Sequence, residues 1–113
     1  MNQLSDKRLF RGTSIVRLCN ILKFLVTQLE QHWHGIHMHH NNEYDGAVSV
    51  SQCPLVPGES FEYHVPLGQQ AGTFWYHSHS RTQYCDGLRG AMVVYDPQDP
   101  HKGLYDIDDS KCC

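Results

Sequence analysis

Two short motifs hold the residue types best suited to chemistry, His32-Trp33-His34-Gly35 and His77-Ser78-His79. Each contains a His-x-His triplet. On a β-strand, side chains i and i+2 point to one face. Both imidazoles of a pair then aim at one spot, while Trp33 and Ser78 turn away. Two such strands side by side bring four imidazoles together. Imidazole is the commonest nitrogen ligand for copper, zinc, iron and nickel. Four facing neutral rings gain little without a metal. Copper and zinc both accept an all-imidazole set. Zinc hydrolases add a carboxylate base at a fixed spacing such as His-Glu-x-x-His. That spacing is absent, which favours copper.

The motifs need strands to position them. Phe61, Tyr63 and Val65 alternate with polar Glu62 and His64, the pattern of a half-buried strand. Pro57-Gly58 before it and Pro66-Leu67-Gly68 after it are turn signals. Thr73 to His77 is β-branched and aromatic, and Ala91 to Tyr95 is a short apolar run closed by Asp96-Pro97. Short strands with Gly/Pro punctuation point to an all-β sandwich or barrel. The region before the first motif is ambiguous. Ile15, Leu18, Leu22, Leu25 and Leu29 fit helical spacing, yet Val16, Cys19, Ile21, Phe24 and Val26 leave no polar face. A helix over 14–30 and a buried strand near 20–27 are both tenable. A strand over 20–31 suits the first motif better, because it would hold His32 and His34.

Composition sets outer limits. The chain has 113 residues, nine of them histidine, with nine Lys+Arg against twelve Asp+Glu. A net charge of −3 excludes a basic nucleic-acid module. At 40% hydrophobic and 11% aromatic the chain can build a core. No apolar run approaches the roughly 20 residues of a membrane span, and no secretory signal is visible: Lys7, Arg8 and Arg11 precede a stretch broken by Arg17, Asn20 and Lys23. There are five cysteines and no Cys-x-x-Cys pair, which argues against a zinc knuckle or a thioredoxin-like site.

The residues around the motifs carry a specific resemblance. His32-Trp33-His34-Gly35, then Asp45-Gly46, then Gln52-Cys53-Pro54, resembles the first copper signature of the laccases. Residues 72–90, Gly-Thr-Phe-Trp-Tyr-His-Ser-His-Ser-Arg-Thr-Gln-Tyr-Cys-Asp-Gly-Leu-Arg-Gly, are similar to the second signature almost throughout. Val93-Val94-Tyr95-Asp96-Pro97 and Leu104-Tyr105-Asp106 resemble the next stretch of fungal laccases. The likeness covers 32–110 and marks the chain as similar to the multicopper oxidases.

That resemblance implies an all-β, cupredoxin-like Greek-key β-sandwich. Residues 32–113 would be a partial first domain of a three-domain oxidase, preceded by a poorly matching segment, 1–31. It also implies copper ligands: His32 for type 2 copper, His34 and His77 for one type 3 copper, and His79 for the other. These would be half of the eight histidines of a trinuclear cluster. Asp45 matches an acidic position thought to help move protons; as Asp-Gly it also reads as a turn residue, and both can hold. The implied parent enzyme takes single electrons from phenols or aromatic amines and reduces O2 to water. It acts mostly outside the cell, with links to lignin breakdown. Cys53 and Cys85 match disulfide positions whose partners lie outside these residues.

Departures qualify the match. The His-Pro-x-His-x-His and His-Cys-His signatures of laccases do not occur. Their absence removes the type 1 copper ligands and the remaining cluster ligands. The fragment alone is therefore expected to be inactive, to need the remaining cupredoxin domains, and to be marginal in stability. Glu30-Gln31 stands where laccases usually carry a Ser/Thr-Ile type of pair. A copper-binding module without catalysis is a second reading. A related oxidase of the ascorbate oxidase or ferroxidase type is a third. His37, His39 and His40 read as a solvated loop, His64 and His101 as surface histidines, and Phe74 and Trp75 as core.

Overall fold

In the computed structural model, residues 9–10, 13–19 and 30–106 are described. The elements are strands β1 (Leu9–Phe10), β2 (Thr13–Cys19), β3 (His32–His34), β4 (Ser60–Pro66), β5 (Gly72–His77) and β6 (Arg89–Tyr95), with one 3-10 turn at Asn42–Tyr44. They form two sheets. One has the order β1-β6-β5-β3, and the other pairs β2 with β4.

The helix that the spacing allowed over 14–30 does not form across its first part. Thr13–Cys19 is a strand, in seven-residue antiparallel register with β4 from Thr13↔Pro66 to Cys19↔Ser60. Thr13, Ile15 and Val16 of this strand are β-branched, which suits a ladder. The alternative strand near 20–27 lies outside the described residues.

The three later strands form where alternation and turn residues place them. Tyr63 and Val65 of β4 are buried, while Glu62 and His64 are only half-buried. The His64 ring meets the Glu62 carboxylate at 3.7 Å, as befits a surface pair.

The core lies between the sheets. Trp33, Tyr76, Met92 and Val94 come from one sheet, Tyr63 and Val65 from the other, and Ile36, Met38, Leu55 and Leu67 from the loops. Trp33 is fully buried, with its ring 5.3 Å from that of Tyr63 in an edge contact. Tyr76 pairs with Gly90 across the ladder, and a Cβ at position 90 would run into the tyrosine ring and hydroxyl. The missing side chain therefore makes room for Tyr76. Burial of the Tyr63 phenol raises its pKa, and its oxygen accepts the Gln31 main-chain N–H at 3.1 Å.

Candidate metal centre

The antiparallel register of β3 and β5 sets His32 opposite His77, Trp33 opposite Tyr76, and His34 opposite Trp75. Strand alternation then sorts the side chains. Trp33 and Tyr76 enter the core, and His32, His34, Trp75 and His77 share the other face. Ligand nitrogens of His32, His34 and His77 all lie within 4.8 Å of one another. His79 follows the end of β5 instead of extending it. Its ring still sits 5.5 Å from that of His32 and 6.0 Å from that of His77. The second His-x-His pair is therefore split between strand and loop, where the sequence suggested two on one strand.

Main-chain carbonyls fix two of the rings. His32 Nδ1 lies 2.8 Å from the carbonyl oxygen of Asp45, and His77 Nδ1 lies 2.8 Å from that of Ser78. A carbonyl only accepts, so each Nδ1 carries the proton and each Nε2 presents a lone pair. This is the arrangement in which an imidazole binds a metal through one nitrogen and is oriented through the other. His77 Nε2 is 3.2 Å from His34 Nδ1. Bonds of about 2.0–2.1 Å place neighbouring ligands of one ion roughly 3 Å apart, so this pair can share an ion.

His77 is nearly buried, at 7% exposure. Its pKa is lowered, first by desolvation and further by His32, His34 and His79, while the bond to Ser78 works in the opposite direction. The neutral ring that a metal requires is therefore favoured. His34 and His79 are exposed, so the cluster opens at the surface.

Asp45 ends the 3-10 turn, and its N–H donates to Asn42 oxygen at 3.1 Å. Besides its carbonyl, its carboxylate stands 3.3 Å from His32 Nδ1. Gly46 follows with φ +82°, and any Cβ there would collide with the Gln31 carbonyl. Only glycine lets the Asp45 turn press this closely on the strand carrying His32.

Trp75 is not a core residue. It stacks on His34 with ring centroids 4.8 Å apart and on His77 at 4.2 Å. The sequence held the signal, since Trp75 and His77 are two apart on one strand. Phe74, on the opposite face, does pack against the core. The carbonyl partners were not visible in the sequence, because a main-chain acceptor has no residue signature. Glu30 and Gln31, read only as departures, are fully buried beside the centre. His37, His39 and His40 lie exposed on the loop after β3, and His101 is exposed near residue 106. Cys53 and Cys85 are exposed thiols and are not bonded to each other.

A two-sheet sandwich with paired His-x-His motifs along one sheet edge defines a cupredoxin-like domain. The comparisons make the class narrower. A family model described as multicopper oxidase matches residues 11–99, and the chain belongs to that family. Laccase-2 of Fomitopsis schrenkii is 63% identical over 83 residues, spanning 74% of this chain and 16% of that protein. Laccase-4 of Trametes villosa is 50% identical over 109 residues, spanning 96% of this chain and 18% of that protein. The crystal structure of a laccase from Botrytis aclada superposes with a TM-score of 0.69 at 36% identity, covering 80% of this chain and 17% of that one. A multicopper oxidase that functions in iron import superposes at 0.71 with 30% identity, covering 94% and 20%. The chain thus spans about one sixth of the length of the curated relatives it matches. The family match begins inside the segment 1–31, where β1 pairs with β6 and β2 with β4.

Proposed function

We propose that this chain supplies half of a trinuclear copper centre in a laccase. His32 holds the type 2 copper, His34 and His77 share one type 3 copper, and His79 binds the other. The observation that carries this reading is the convergence of His32, His34 and His77, with Nδ1 of His32 and of His77 tied to carbonyls so that the Nε2 lone pair of each faces the cluster, that of His77 meeting His34 Nδ1. The donor set is all imidazole, with His77 held toward its neutral form by desolvation, which suits copper in both oxidation states. Bound copper supplies one-electron redox chemistry and a place for dioxygen.

The chain's own residues orient and protect that centre. The Asp45 and Ser78 carbonyls set the tautomers of His32 and His77. Trp75 covers one side of the His34–His77 pair and limits water there. The Asp45 carboxylate is one-third exposed and 3.3 Å from the His32 ring. That contact and exposure support a role for it in holding a proton between solvent and the centre. Exposed His34 and His79 leave room for the remaining ligands on further domains.

Residues 32–113 are part of the first of three cupredoxin-like domains, with β1 and β2 contributing to its sheets. The parent enzyme works outside the cell, takes electrons from phenols or aromatic amines at a type 1 site in another domain, and reduces O2 to water. Copper titration of the 113-residue chain tests the ligand set. His34→Ala and His77→Ala should each weaken Cu(II) binding at least tenfold; binding unchanged in both variants would overturn it.

A further inference from the structure

Glu30 has no part in the ligand set, yet it is fully buried next to it. Its Oε1 accepts a hydrogen bond from the Ser78 hydroxyl at 2.8 Å, and its Oε2 is buried with no partner among the described residues. Burying a carboxyl with one oxygen unanswered costs stability, so the placement asks for a return. Ser78 lies between His77 and His79, and its carbonyl fixes the His77 ring. The other contacts of its hydroxyl are local: Gln83 Oε1 at 2.7 Å competes with Glu30 for its one proton, and its oxygen accepts the Ser80 N–H at 3.1 Å. The bond to Glu30 alone reaches across, joining the segment between the second pair of histidines to the residue two before His32.

We propose that Glu30 is a positioning residue for the metal centre, locking the two His-x-His motifs to each other through the Ser78 hydroxyl. This rests on the copper-ligand reading above. Loss of the link leaves the motifs joined by the β3–β5 ladder up to His77 and frees the Ser78–His79 segment beyond it. Groups bonded directly to a ligand ring cost about 10- to 100-fold in metal affinity when removed, and Glu30, acting through Ser78, is expected at the lower end.

The test uses the 113-residue chain and Cu(II) alone, comparing Glu30→Gln, Glu30→Met and Ser78→Ala. Glu30→Gln keeps an acceptor oxygen and should bind copper within about threefold of the parent. Glu30→Met fills the space without the acceptor, and the hydroxyl still has Gln83. It should lose about tenfold or more in Cu(II) affinity and broaden the Cu(II) EPR spectrum, while metal-free thermal stability does not fall. Ser78→Ala should lose as much, and the Glu30→Met/Ser78→Ala double variant should lose no more than either alone. A purely structural Glu30 would lower metal-free stability and leave the spectrum unchanged, which overturns the proposal. So does parental affinity in Glu30→Met, or additive losses in the double variant. His34→Ala and His77→Ala run beside these variants. If they too bind normally, the ligand reading itself has failed; if they fail to bind while Glu30→Met binds normally, only the positioning role has.

Discussion

At the scale of single residues, the centre depends on protons held at stated atoms. His77 gives the clearest case. Its folded pKa is lowered below the ordinary 6.5, chiefly by burial. An unfolded chain takes up a proton near pH 6.5 that the folded ring refuses, so the folded state loses ground as pH falls through 6.5 toward the lowered value. The stabilising contribution is present above that range. Urea denaturation of the metal-free chain at about pH 7.5 and about pH 5.5 should show a lower midpoint in acid, and His77→Gln should reduce that difference; an equal difference in the variant would count against it. Gly46 offers a second residue-scale check. Gly46→Ala combines φ +82° with a collision against the Gln31 carbonyl. It should destabilise by about 2–4 kcal/mol and weaken copper binding, measured by denaturant unfolding and titration. The convergence of His32, His34 and His77 was legible in the sequence because a His-x-His pair on a strand turns both rings to one face. Their orienting groups were hidden, since the Asp45 and Ser78 carbonyls could belong to any residue type.

At the scale of elements, the β3–β5 register turns two sequence motifs into one site. A slip by one residue would send His32 and His34 into the core and Trp33 to the surface. Trp33 against Tyr63, and Tyr76 seated over Gly90, oppose that slip. Replacing Gly90 with Val should displace Tyr76 and cost about 1–3 kcal/mol by overpacking, read as a lower thermal midpoint; an unchanged midpoint would show that the tyrosine does not depend on that space. Strands β4, β5 and β6 were legible from alternation, aromatic content and turn residues. The run before Cys19 was not, because Ile15, Val16 and Leu18 satisfy both helix and strand spacing. Seven pairs with β4 decide in favour of the strand. Trp75 was misplaced for a related reason: an aromatic side chain on a half-buried strand fits either face until its register with His34 is known.

At the scale of the whole molecule, the chain spans about one sixth of its laccase relatives, and the histidine face is partly open. The sequence contains no His-Cys-His segment to accept electrons from a substrate. Copper-loaded chain should therefore show no turnover of a simple phenol in an oxygen-consumption assay. Robust turnover would contradict the division of labour proposed here. The most direct measurement is pulsed EPR on the chain carrying one equivalent of Cu(II), counting coordinated imidazoles. At least two imidazole nitrogens should bind the ion, with the count falling in His77→Gln. Oxygen-only or thiolate coordination, or an imidazole count that His32→Ala, His34→Ala and His77→Gln all leave unchanged, would contradict the assignment of these histidines as the copper ligands.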